Sequence, residues 1–245
     1  MHWVLKSTAL SLLVASSGAS PLGHRDTTKT PSKSVKQRPK TKRTLTNGKP
    51  VDPAVYNDLV HYASFDIAAN EVSTCPHGPY GEAVQDSFSI ALTDTQMTLY
   101  RSDSTQEFIL AVPGSNSTVD DITDFTFVPV PYLSTGVKCL GCLVHVGFLT
   151  SWNSVSLQVE EMLSAALAQY PDYHTVITGA SLGAALAQLA FASLQGLGTY
   201  NITEAYTYGQ PRVGNQAFAD YIDSIAGASD TAAGIYHRVT HYNGK

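Results

Sequence analysis

At 245 residues and 43% hydrophobic content, the chain is long enough for one large domain with a sizeable core. Its formal charge of −5 hides an asymmetry: residues 1–43 hold nine of the fifteen Lys and Arg and one of the twenty Asp and Glu, carrying +8 against −13 for the remainder. A body that acidic repels a polyanion, which argues against nucleic acid as a partner.

The chain opens with Lys6, an apolar run over residues 7–15 and the small residues Ser17, Gly18 and Ala19, the pattern of a secretory signal peptide covering residues 1–19. The run is too short to span a bilayer, so it predicts export to the extracellular space without transmembrane anchoring. Residues 20–43 are rich in Lys, Arg, Thr, Ser and Pro, cannot form a core, and end on the dibasic pair Lys42-Arg43. They are predicted to be a propeptide, the alternative being a solvated basic tail that stays attached. Residues 44–245 are then the folded domain.

Asp52-Pro53 supplies an N-cap and a proline at the first helical position, and Tyr56, Leu59, Val60, Ala63 and Ile67 recur at helical spacing, predicting an amphipathic helix to about Asn70. Strands are predicted over residues 87–92, 97–100 and 108–112. A second long helix is marked by Val155, Val159, Met162, Leu163, Ala166 and Leu167 between Trp152 and Tyr170, stopped before Pro171. An apolar, β-branched run then enters Gly179-Ala180-Ser181-Leu182-Gly183 and leaves through an alanine-rich helix. Residues 205–208 and 235–241 predict strands, with a helix over 216–225 between them. Strands alternating with helices imply an α/β fold with a mostly parallel sheet and crossover helices.

A G-x-S-x-G turn between a buried strand and a helix is a nucleophile elbow: it lifts the Ser181 hydroxyl above the helix N-terminus, and side chains at 179 or 183 would clash with the sharply turned backbone. A serine so placed also needs a base, a group that orients the base, and donors for an oxyanion. The backbone N–H of Leu182 is one donor by the geometry of the turn. Ser115, after the hydrophobic strand that ends Val112-Pro113-Gly114, is the candidate for the other, an ordinary Gly-Ser turn being the alternative. Of three cysteines, Cys139 and Cys142 are spaced for a local disulfide across Gly141, leaving Cys75 without a partner; the flanks are not those of a zinc knuckle. No metal site and no organic cofactor are implied. Asn116-Ser117-Thr118 and Asn201-Ile202-Thr203 are glycosylation acceptors on an exported chain.

Several segments together resemble the fungal class 3 lipase family, which includes feruloyl esterases. Cys139-Leu140-Gly141-Cys142, with His145-Val146-Gly147-Phe148 and Ser151-Trp152, resembles the family's Cys-x-x-Cys, His-x-Gly-Phe segment. Tyr170-Pro171-Asp172-Tyr173 and the elbow resemble its nucleophile strand; Gly209-Gln210-Pro211-Arg212-Val213-Gly214-Asn215 resembles the following loop, and residues 236–243 the strand leading to the catalytic acid. The resemblance spans about residues 51–243. It implies an α/β-hydrolase fold, Ser181 as nucleophile, Ser115 and Leu182 as the oxyanion hole, and a lid at residues 116–125.

The departures are specific. Ala180 stands where the family usually has His, and Val112-Pro113-Gly114-Ser115 where it usually has Phe-Arg-Gly-Ser/Thr. Asp120, Asp121 and Asp124 make the lid a poor face for an anionic lipid surface, and a glycan on Asn116 would hinder docking further. The family's triad Asp falls where Gly244 stands and its His lies far beyond, so the domain is expected to be incomplete at its C-terminus, without the family's last elements. Gly244-Lys245 reads as translation of a retained intron at a split Asp codon. His237 and His241 share a face of the last strand and, with Asp223 and Asp230, are read as ordinary surface or strand-end residues. The implied substrate is a carboxylic ester, first a lipid ester met at a lipid surface, with a feruloyl ester or a non-catalytic binding role as the alternatives.

Overall fold

The computed structural model describes residues 51–70, 77–90, 95–114, 127–229 and 231–240. Helix α1 (Pro53–Ala69) starts where the sequence predicts, with Asp52 Oδ1 accepting from the N–H of Ala54 at 2.8 Å. Its buried face differs from the predicted one. Tyr56, Val60 and Ile67 are exposed, and Phe65, Asp66 and Ala69 are buried. Apolar residues occur on both sides of α1, and the aromatic contacts decide: Phe65 packs on Tyr100 and Tyr62 stacks on Tyr206 at 4.5 Å between centroids.

Strands β1 (Ala83–Ile90), β2 (Thr95–Ser102) and β3 (Glu107–Val112) form an antiparallel meander, each longer than its predicted counterpart; Leu92 lies outside the described residues. Two three-residue strands, β4 (Pro129–Pro131) and β5 (Leu143–His145), pair separately. Helix α2 (Val146–Gln169) begins several residues before Trp152, because the Nδ1 of His145 caps it by accepting from Phe148 N–H at 3.4 Å. Then come β6 (His174–Ala180), α3 (Leu182–Leu197), β7 (Ile202–Tyr208), α4 (Gln216–Ile225) and β8 (Tyr236–Val239).

The large sheet runs β1-β2-β3-β6-β7-β8, with β3, β6, β7 and β8 mutually parallel. A parallel pair needs a crossover connection, and α2, α3 and α4 provide them. The main core lies between the sheet and helices α2 and α3, where Trp152, Leu163, Phe191, Leu110 and Ile177 are fully buried. A smaller cluster under α1 holds Phe65, Ala69, Tyr100, Ile109 and Ala111. All six residues of β3 and the middle of β6 are buried, as strands covered on both faces must be.

Candidate active site

Ser181 is the turn between β6 and α3. Its backbone stands at φ 52°, ψ −121°, a left-handed conformation that costs a non-glycine residue about 1–3 kcal/mol and survives only where its surroundings dictate it. They do so by contact and by hydrogen bonding. A Cβ at Gly183 would sit 2.0 Å from Val112 O and 2.5 Å from Pro113 O, and a Cβ at Gly179 would sit 2.7 Å from Gly183 O. Strand, turn, helix and the β3 loop therefore approach backbone to backbone, which only glycine permits. On the β7 side, Ser181 N–H donates to Tyr208 O at 2.8 Å.

Leu182 is the first residue of α3, so its N–H is among those a helix leaves without an acceptor in its own chain of bonds. Gly114 closes on the same point: a Cβ there would lie 3.2 Å from Ala180 O and 3.5 Å from the Ser181 Cβ. The β3 loop thus reaches the serine, as the sequence predicts. Ser115 and Asn116, the lid and Cys75 lie outside the described residues. Asn201 is exposed, with φ 45°, just ahead of β7, and Cys139 and Cys142 form a disulfide with Cα atoms 5.6 Å apart.

The segment after β7 is built around two polar residues. Gln210, buried, accepts from Thr207 Oγ1 at 2.9 Å and Tyr236 OH at 2.6 Å through Oε1, and its Nε2 donates to Gln188 Oε1 at 2.6 Å; Arg238 donates to its carbonyl at 3.0 Å. Asn215 Oδ1 accepts from Leu143 N–H and Phe218 N–H, capping α4 and fastening β5 beside it. These bonds give the Gly-Gln-Pro-Arg-Val-Gly-Asn stretch its physical reason: it joins β7, β8, α3 and β5.

The described histidines are engaged elsewhere. His145 caps α2, and His77 forms a bridge with Ala83. His174 and His61 flank the buried Glu107 at 3.3 Å and 3.9 Å, at the start of β3 and β6, the opposite end of these strands from Ser181. His237 stacks on Tyr206 at 4.8 Å, on the side of the sheet that carries α1, and burial holds its imidazole below the ordinary range. Asp223 is exposed on α4, and His241 and Asp230 lie outside the described residues. Among the described residues no group of three His, Cys, Asp or Glu is placed to hold a metal ion.

One residue at the elbow is absent from the sequence reading. Asp66 of α1 is only 4% exposed, and its Oδ1 accepts from Ala180 N–H at 3.1 Å, one residue before the serine. Burial pushes its carboxyl from an ordinary 3.8 up to about 7, the Ala180 hydrogen bond opposing part of that rise. Spacing alone does not reveal it: it sits one residue after Phe65 and three before Ala69 on the buried face, where a carboxylate counts against burial.

The profile of the family described as Lipase (class 3) matches residues 109–243, more than half of the chain. The chain belongs to the class 3 lipase family. Among relatives, it is 38% identical over 164 residues to secreted mono- and diacylglycerol lipase A of Penicillium cyclopium, covering 66% of this chain and 50% of that one. It is 38% identical over 181 residues to a lipase of Rhizomucor miehei, covering 69% and 48%. Among solved structures, a triacylglycerol lipase described as having a serine protease triad at its catalytic centre superposes with a TM-score of 0.67 at 30% identity, over 78% of this chain and 72% of that one. The chain therefore has the α/β-hydrolase fold, and it spans about half the length of these two sequence relatives.

Proposed function

We propose that this protein is a secreted serine carboxylic-ester hydrolase that acts on acylglycerols through an acyl-enzyme on Ser181. The observation that carries the reading is the strained elbow itself: a half-buried serine hydroxyl held at φ 52° beside a helix N-terminus, with the β3 loop closing on its Cβ. Strain of this kind is retained where it presents a group for reaction. The mono- and diacylglycerol lipase among the relatives and the triacylglycerol lipase among the solved structures support the substrate class.

In this reading Ser181 Oγ attacks the ester carbonyl carbon while a general base takes its proton. Leu182 N–H and Ser115 hold the developing oxyanion. The alcohol leaves with that proton, and water then releases the acid. With the described histidines engaged elsewhere, the base comes from outside the described residues. Residues 1–19 act as the export signal and 20–43 as the propeptide; among the described residues no helix is long and apolar enough to cross a membrane.

The test is a fluorophosphonate probe together with a diacylglycerol emulsion and a soluble feruloyl ester. Labelling at Ser181, lost in Ser181→Gly, with preference for the emulsion, is the expected result. Preference for the feruloyl ester would move the substrate class, a shift the carboxylates at 120, 121 and 124 favour. No labelling would leave a binding role.

A further inference from the structure

The sheet geometry around the elbow leaves one amide to be accounted for. In a parallel strand, successive N–H groups point alternately to the two neighbours. His174 N–H donates toward β3, to Gln106 O, whereas Thr175 and Ser181 donate toward β7, to Asn201 O and Tyr208 O. By that alternation Ala180 N–H faces β3. The ladder there stops at the pair Val112 and Gly179, after which Pro113 and Gly114 lead the chain away. The last amide of β6 therefore sits at the end of this ladder, at the residue before the serine.

Asp66 adds an acceptor there. Its Oδ1 reaches over from α1 and accepts from Ala180 N–H at 3.1 Å. The helix is held to the same ends of the strands by two more bonds, Thr178 Oγ1 to Tyr62 O at 3.1 Å and Tyr208 OH to Leu59 O at 2.7 Å. Asp66 thus sits on an element anchored about one and two turns before it. A carboxyl packed between Phe65 and Ala69 is costly to bury, and here its named hydrogen-bond donor is a backbone amide of the elbow.

We propose that Asp66 is a positioning residue for Ser181: from α1 it adds an acceptor at the end of the β6 ladder, gripping the Gly179–Ala180 peptide as Tyr208 O grips the next one, Ala180–Ser181, from the β7 side. The two acceptors fix the two consecutive peptide planes that lead into the left-handed turn of Ser181, and so the direction of both its hydroxyl and the Leu182 N–H. The inference rests on the reading of Ser181 as a nucleophile for its consequence in activity, but the grip is independent of it.

The experiment compares the full chain with Asp66→Asn, which keeps an acceptor oxygen, and Asp66→Leu, which fills the space without one. Two quantities are read under conditions where all three show a cooperative thermal transition: hydrogen exchange at the Ala180 amide, and the rate of fluorophosphonate labelling at Ser181. Asp66→Leu is expected to speed Ala180 exchange at least tenfold and slow labelling at least tenfold. Asp66→Asn is expected to stay within about threefold of the parent in both. Unchanged Ala180 exchange in Asp66→Leu overturns the proposal, as does Asp66→Asn labelling no faster than Asp66→Leu. If the parent itself does not label, the hydrolase reading fails, and Ala180 exchange alone decides whether Asp66 holds the elbow.

Discussion

Replacing Asp66 by Asn is expected to flatten the dependence of stability on alkaline pH. The folded protein holds this carboxyl at about 7 against 3.8 when unfolded, because burial penalises the anion more than the Ala180 amide repays it. A raised carboxyl binds its proton more tightly in the folded state, so its contribution is fully present below pH 3.8 and is lost as pH climbs through 7. Moving the titration from 3.8 to about 7 is worth about 4 kcal/mol in all. Roughly 2–3 kcal/mol of that falls between pH 5 and pH 8. At 4% exposure the carboxyl receives little solvent screening to reduce the figure. Against a typical stability of about 5–15 kcal/mol the loss is readily seen. Urea unfolding of parent and Asp66→Asn at both pH values measures it, and any fixed cost of the amide cancels in the comparison. The parent is expected to lose roughly 2–3 kcal/mol more than the variant from pH 5 to pH 8. Parallel losses would mean that the folded and unfolded carboxyls titrate alike, and the reasoning from burial would be wrong.

Gly183→Ala places a methyl group 2.0 Å from Val112 O, a backbone atom with no flexible end to yield. It is expected to cost about 3 kcal/mol by denaturant unfolding and to abolish Ser181 labelling; retention of both would refute the close-approach argument. Ser181→Gly removes strain of about 1–3 kcal/mol at the cost of about 0.5–1 kcal/mol of extra unfolded-chain entropy. It should therefore be more stable than Ser181→Ala by about 1 kcal/mol, or roughly 2–4 °C in Tm, and an equal or lower Tm for the glycine variant would count against a strained elbow. The double replacement Cys139→Ser with Cys142→Ser opens a loop of only three residues' separation. Its expected cost is therefore small, about 2 kcal/mol, with Ser181 labelling kept under folding conditions.

What was legible in the sequence is what short-range sterics decide. The elbow could be read because a buried strand, two glycines and a run of helix formers leave one conformation open to Ser181, and the close contacts at Gly179 and Gly183 are that argument in distances. Helix α4 matches its predicted bounds because Asn215 caps it locally, through Phe218 N–H. What was not legible depends on partners far along the chain. Strands β4 and β5 are three residues each, and Pro129 and Pro131 read as turn formers until an edge partner is supplied. The early start of α2 rests on a histidine used as a cap, a residue type that carries no such signal.

Helix α1 shows the limit most clearly. Its apolar residues fall on two sides, and the stripe through Tyr56, Val60 and Ile67 looks as suitable for burial as the one through Phe65 and Ala69. Hydrophobic periodicity counts Asp66 against the second stripe, although that is the face the fold uses. The count fails because the helix answers two demands. It covers Tyr100 and Ile109 of the small core, and it brings an acceptor to the Ala180 amide at the end of the β6 ladder. The first demand is hydrophobic and visible in composition. The second arises only when β3 and β6 pair in register and β3 then turns away at Pro113, so no local pattern in residues 53–69 could announce it. A buried charge that breaks a helix's apolar face is therefore the residue to examine first when the strand beneath that helix ends in a reactive turn.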